Sequence, residues 1–240
     1  MNDAALLEVT DLGKRFGGFV ALQSIELAVQ EGERVGLIGP NGSGKSTLVN
    51  CMCGTLRHEL GSVRFAGHVL DRLSAHERTR LGLARSFQLP RPFSTLSLAE
   101  NLRVPLLYSG RHGADPIDAR CAALLEMVGL ADKAARLPRD LTQIEMRKLE
   151  LARAMAATPR LLIADEAMAG LSHGEVDDIL ALLIRLNEQG VTVILIEHIM
   201  RAVMHFSQRL VVLVAGRKVA DGDPTEVVRD PDVVRAYLGE

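Results

Sequence analysis

A chain of 240 residues can bury one sizeable α/β core and has room for a small inserted lobe. Its net charge of −2 offers no basic field for nucleic acid, and runs such as Leu161–Ala164 and Leu210–Ala215 fall well short of the roughly 18 apolar residues of a membrane span. Met1-Asn2-Asp3 lacks the basic start of a signal peptide, and Cys51, Cys53 and Cys121 show no paired C-x-x-C spacing, so core packing in a reducing cytoplasm is expected of them.

Residues 6–38 read as short strands, Leu6–Leu12, Val20–Leu22, Ile25–Val29 and Arg34–Ile38, with turns at Gly17-Gly18 and Glu31-Gly32-Glu33. The last strand runs into Gly39-Pro40-Asn41-Gly42-Ser43-Gly44-Lys45-Ser46-Thr47, spaced G-x-x-x-x-G-K-S, and Leu48-Val49-Asn50 continues as a helix. Strand, glycine-rich loop and helix in that order form a phosphate-binding P-loop. The glycines let backbone N–H groups turn toward a polyphosphate, and the helix N-terminus points its positive end at the same anion. Lys45 supplies a point charge for the β- and γ-phosphates, and Ser46 a hydroxyl for Mg²⁺. A glycine-rich turn at a helix start is the competing explanation; the Lys-Ser pair in strand–helix context favours a nucleoside triphosphate.

Ser62–Phe65 with Gly67 reads as a further strand and turn, part of an antiparallel flap. From about Leu73 the pattern becomes helical. Ser74-x-x-Glu77 and Ser97-x-x-Glu100 match capping boxes, Asp115-Pro116-Ile117-Asp118 puts Pro at a first helical position, and Gly129 marks a stop. Pro90, Pro92, Pro105 and Gly110 are expected to break this stretch, residues 76–140, into the short pieces of an inserted helical subdomain.

Thr142-x-x-Glu145 opens a helix to about Ala157, followed by the strand Leu161–Ala164. Ser172-x-x-Glu175 opens another helix, ended by Gly190, and Val191–Ile196 is a strand dense in β-branched residues. Arg209–Val214 and Arg217–Ala220 flank a turn at Gly216, and helices restart at Asp223-Pro224 and Asp230-Pro231. Alternating strands and helices predict an α/β fold with a mostly parallel, doubly wound sheet.

Two strand ends carry further chemistry. Asp165 and Glu166 follow an apolar strand and would face the crevice of the P-loop, Asp165 toward Mg²⁺ and Glu166 toward the attacking water. An acidic helix start is the alternative. His198 ends the strand Val193–Ile196 after Glu197, where an imidazole can hydrogen-bond a γ-phosphate; histidines are also often plain surface residues. Gln88 says nothing by itself.

With these pieces in order, the chain resembles the nucleotide-binding subunit of an ATP-binding cassette (ABC) transporter over nearly its whole length. The resemblance rests on the P-loop at 39–47, a Q-loop at Gln88, the carboxylates Asp165 and Glu166, and an H-loop at His198. It implies a P-loop NTPase of RecA-like type with an antiparallel β flap and an inserted helical subdomain, 1–75 and 141–215 forming the nucleotide-binding core and 216–240 a C-terminal strand and helices. It further implies ATP and Mg²⁺ as ligands, with Ser46, Gln88 and Asp165 around the metal and Lys45, Glu166 and His198 catalytic. Phe16 stands where the family stacks an aromatic ring on adenine; a plain core Phe is the alternative. Ala84–Gln88, Leu98–Leu102, Ile196–Met200 and Asp232–Gly239 resemble the subunits that energise bacterial uptake of branched-chain and related amino acids. Such subunits sit peripherally on the cytoplasmic face of the inner membrane. They pair with a second, often different, ATPase chain beneath permease subunits fed by a substrate-binding protein, and engage no nucleic acid.

The sequence departs from the family at its L-S-G-G-Q signature, which completes the ATP site of the opposite subunit. Leu141-Thr142-Gln143-Ile144-Glu145 stands there, keeping a hydroxyl and a helix cap but losing both glycines, with Ile144 adding bulk and Glu145 negative charge. Ala167 replaces a usual Pro and Ser172 a usual Asp or Asn. A heterodimer with unequal sites follows as the expectation. An ATP-dependent dimerisation module with little hydrolysis, and the ATPase of another ABC transporter class, remain as alternatives.

Overall fold

The computed structural model describes residues 5–109 and 116–238; Met1-Asn2-Asp3, Gly110, Asp115 and Gly239 lie outside the described residues. Its organising feature is a six-stranded sheet in the order β10-β9-β3-β8-β7-β6. The strands are β3 (Arg34–Ile38), β6 (Leu83–Ser86), β7 (Leu161–Asp165), β8 (Thr192–Ile196), β9 (Arg209–Val214) and β10 (Arg217–Gly222). All neighbours pair in parallel except β9 and β10, which form a hairpin. Every residue of β7 and β8 is buried, as expected of parallel strands covered on both faces.

A second sheet, in the order β2-β1-β4-β5, is antiparallel: β1 (Leu7–Phe16), β2 (Phe19–Val29), β4 (Leu60–Phe65) and β5 (His68–Val69). The expected strands Val20–Leu22 and Ile25–Val29 are one strand, bent at Ser24, whose φ of 47° re-aims the chain without ending the pairing. One apolar cluster joins Leu7, Leu12 and Phe65 of this sheet to Leu48 and Met52 of α1 (Lys45–Cys53) and to Ile163 and Ile196 of the larger sheet. The three cysteines are free and buried within such packing; loss of water pushes the Cys51 thiol up to about 11 and that of Cys53 to about 12.

The other face is covered by α3 (Leu98–Tyr108), α4 (Ile117–Met127), α5 (Gln143–Met155) and α6 (His173–Glu188), which share a core with Leu162, Val193 and Leu195. Three expectations are corrected here. The stretch 76–140 is not wholly helical: after α2 (Ala75–Leu81), β6 joins the core sheet beside β7, with Arg85 opposite Ile163. Pro105 does not break α3, because Leu98, Leu102 and Leu106 are fully buried at helical spacing through it and outweigh one lost backbone bond. Pro116 is the N-cap of α4 rather than its first helical residue. The remaining α-helices among the described residues are α7 (Met200–Phe206), α8 (Pro224–Val227) and α9 (Pro231–Leu238), and short 3-10 turns lie at Ala131–Lys133 and Pro138–Asp140. Among the described residues no helix is long and apolar enough to cross a membrane.

Candidate active site

Ile196 pairs with Leu37 on one side and Asp165 on the other, so β3, β8 and β7 end at one level. Residues 39–47, Asp165-Glu166 and Glu197-His198 therefore leave the sheet beside one another at its carboxyl edge, where α/β sheets place ligands.

The loop after β3 folds as a cradle that side chains would fill. A Cβ on Gly39 would lie 2.1 Å from the Leu213 carbonyl oxygen, and one on Gly44, at φ 105°, 2.8 Å from that of Ala21. Gly44 is also the N-cap of α1, so the first N–H groups of that helix open into the loop. Lys45 is buried, and its ammonium donates to the Gly39 carbonyl at 2.6 Å and the Pro40 carbonyl at 3.1 Å. Burial draws its pKa down, opposed by the charges of Glu166 and Asp165. Among the described residues the buried Ser43 hydroxyl has no hydrogen-bond partner. A curled backbone, an unpaired hydroxyl and an ammonium held only by carbonyls fit a polyphosphate.

Phe16 and Phe19 face each other across the turn at Gly17-Gly18, both substantially exposed. With residues 41–47, Glu166 and His198 they line one cleft of about 250 Å³. Phe16 is thus an exposed cleft residue rather than part of the core, with the Lys14 ammonium 5.3 Å from its ring. Phe19 went unread in the sequence, although its place across a two-residue hairpin from Phe16 was a usable signal.

Glu166 has a φ of 47°, a conformation that costs a non-glycine residue of order 1–3 kcal/mol. Its N–H donates to the Ile196 carbonyl at 2.9 Å, which holds the turn in place. The carboxylate is gripped from two sides, one oxygen 3.0 Å from His198 Nε2 and the other accepting from the Gln88 amide. Gln88 thus reaches the carboxylate from the Q-loop side. Asp165 is buried and accepts from Arg85 at 2.5 Å. Ser46 and Asp165 offer hard oxygen donors suited to Mg²⁺, which commonly takes one or two protein oxygens and completes its shell with phosphates and water.

Several residues of this region carried no local signal. Arg147 donates to the carbonyls of Gln88 and, at 3.2 Å, Ala169, tying the Q-loop to the turn after β7. Glu197 is buried and accepts from Met168 N–H at 2.8 Å; burial pushes its pKa up against the two N–H groups it accepts from.

Residues 142–145 have different neighbours. Thr142 caps α5, its hydroxyl accepting from the Glu145 N–H at 3.4 Å while Glu145 accepts from the Thr142 N–H at 3.0 Å. Gln143 donates to the Ala169 carbonyl at 3.2 Å, and Ile144 packs against the helical core. Glu145 is not a free negative charge, because Lys133 donates to its other oxygen. That contact first, then the Thr142 N–H, holds the Glu145 carboxyl below the usual range. Its stabilising contribution is present above the unfolded-state value and is lost as pH falls through the lowered folded one. Thr142→Ala should cost about 1 kcal/mol in urea unfolding at neutral pH; an unchanged midpoint would show the cap to be idle. Ser172 is the N-cap residue of α6, its hydroxyl donating to the Glu175 carboxylate at 2.7 Å and its N–H at 2.8 Å, and Ala167 is buried.

Residues 22–169 match the family model described as ABC transporter, and residues 217–240 one described as branched-chain amino acid ATP-binding cassette transporter. The high-affinity branched-chain amino acid transport ATP-binding protein BraF of Pseudomonas aeruginosa is 39% identical, with 98% of each chain covered. The methionine import ATP-binding protein MetN of Mesorhizobium japonicum is 37% identical over 98% of this chain and 65% of its own. Among solved structures, the ADP conformation of MJ1267, an ATP-binding cassette of an ABC transporter, superposes with a TM-score of 0.89 at 30% identity, covering 98% of this chain and 99% of the other.

Proposed function

The chain belongs to the ABC transporter family as a nucleotide-binding subunit, and from that premise we propose that it hydrolyses Mg²⁺-ATP to drive import of branched-chain or related amino acids. One observation carries the chemistry: a buried lysine in a phosphate cradle opens onto the same cleft as a carboxylate held between a glutamine and a histidine.

Residues 39–47 cradle the phosphates, with Lys45 trading its two carbonyl partners for phosphate oxygens, and Phe16 stacks on the base. Ser46, Gln88 and Asp165 are the residues that would hold Mg²⁺, which when bound would neutralise charge on the phosphate oxygens. Glu166 orients a water for in-line attack and accepts its proton as the γ-phosphorus–oxygen bond to ADP breaks. His198, whose Nε2 lies 3.0 Å from Glu166 in the same cleft, hydrogen-bonds the γ-phosphate in exchange for that contact. The strained backbone at Glu166 supports this role, since such conformations persist where the surrounding structure enforces them and cluster at functional sites.

The permease is proposed to dock on the exposed apolar strip Phe87, Leu89 and Phe93 beside the Q-loop. That places the chain peripherally on the cytoplasmic face of the inner membrane, with a substrate-binding protein acting on the far side. The signature at 142–145 faces a second ATPase chain, whose own signature completes the cleft here. A heterodimer is favoured because Ile144 replaces a glycine while Lys45, Glu166 and His198 are all present. Affinity purification of the tagged chain from detergent-solubilised membranes should recover a multi-span permease and a second P-loop ATPase. Reconstituted with the binding protein, they should accumulate leucine, isoleucine or valine only with ATP. Recovery of the chain without membrane partners would overturn the proposal.

A further inference from the structure

Arg85, on β6, is joined to the site by contacts that the catalytic scheme above does not use. Its side chain is 13% exposed and that of Asp165 8%, and the two are 2.5 Å apart through Nη2. The other arm of the guanidinium, Nη1, donates to Asn50 Oδ1 at 2.7 Å. Asn50 lies one turn beyond Ser46 on α1, on the same face of that helix, and Thr55 Oγ1 holds its side chain at 3.2 Å. One planar fork therefore spans the two elements that carry Ser46 and Asp165. On its outer side the guanidinium lies 5.1 Å from the centre of the Phe87 ring, which is 47% exposed.

We infer that Arg85 is a positioning residue for the metal half of the site: it bridges the Ser46 helix to Asp165 and fixes how their oxygens face each other, an inference that rests on assigning those two side chains to Mg²⁺. A carboxylate has two oxygens, so the one bonded to Arg85 leaves the other for an ion. Partners of this kind set the orientation of metal-binding carboxylates and are worth roughly 10–100-fold in metal affinity. Lysine cannot replace it, because a single ammonium does not reproduce a fork aimed at two elements. The contact with Phe87 carries the same side chain to the edge of the exposed strip beside the Q-loop.

The test uses the full-length chain with ADP bound and Mn²⁺ as probe, free Mn²⁺ being read by electron paramagnetic resonance. Arg85→Met should weaken Mn²⁺ binding about tenfold, while ADP affinity measured in EDTA stays near the wild-type value. Arg85→Lys should recover only part of the loss. Unchanged Mn²⁺ affinity in Arg85→Met, or full recovery by Arg85→Lys, overturns the inference. So does tighter binding, which would make the guanidinium a rival cation rather than a support. If Arg85→Met does not fold, Asn50→Ala serves: it keeps the ion pair and removes the bridge. Weaker Mn²⁺ binding by that variant supports the inference and unchanged binding overturns it. Asp165→Asn is measured alongside. Unchanged Mn²⁺ affinity there strikes the metal assignment itself, whereas weakening there without weakening in Arg85→Met strikes Arg85 alone.

Discussion

Glu166→Gln in the assembled transporter is expected to lower ATP turnover by about 10²–10⁴-fold, the range for loss of a positioned general base, while nucleotide binding stays near the wild-type level. Two features of the site separate these effects. Glu166 shares the cleft with the P-loop but makes none of the contacts that hold Lys45 or build the glycine cradle. Its carboxylate is nevertheless the common acceptor for Gln88 and His198, so the variant removes the one group both hold. Glutamine preserves size and cannot take a proton from water. The assembled complex also tests asymmetry. If both ATP sites were equal and independent, changing this chain alone would leave about half the turnover. A near-complete loss means that the site built on this P-loop does most of the work, as expected if Ile144 impairs the other. The checks are phosphate release at saturating Mg²⁺-ATP and equilibrium binding of the same nucleotide. Near-wild-type release would sink the assignment of Glu166.

What could be read from the sequence followed how local each feature is. Gly39–Thr47 is contiguous, and glycine spacing, lysine and flanking strand together leave few ways to fold. The capping boxes at Ser97, Thr142 and Ser172 are local too, and each sits at a helix start. β6 was missed because four residues, one of them an arginine, give no usable periodicity; only pairing with β7, some eighty positions later, makes Leu83–Ser86 a strand. The Arg85–Asp165 and Arg147–Gln88 contacts are of the same kind, since which cation meets which acceptor depends on a sheet order no window contains. Glu145 shows the converse. By itself it is a negative charge near an anion, and only the fold reveals Lys133 already bound to it.

Lys45→Ala should weaken Mg²⁺-ATP binding roughly ten- to hundredfold and stop transport. Lys45 is 7% exposed and its ammonium is bonded to the Gly39 and Pro40 carbonyls, so part of its hydration is already lost before nucleotide arrives. Burial pulls its pKa down, while Glu166 and Asp165 favour the charged form. Exchanging carbonyl partners for phosphate oxygens therefore gains charge-assisted bonds with little new desolvation. Removing such bonds costs about 1.5–3 kcal/mol, which is the stated factor at about 1.4 kcal/mol per decade. Alanine also leaves two carbonyl oxygens facing the phosphates without the cation between them, so the loss belongs in binding rather than in catalysis alone. Arginine should not rescue it, since a planar guanidinium is too broad for a pocket closed by two backbone carbonyls. Isothermal titration of the purified chain with Mg²⁺-ATP decides the matter: tight binding by Lys45→Ala would remove the lysine from the phosphate site. A loss shared by Mg²⁺-ADP would assign part of the contact to the β-phosphate.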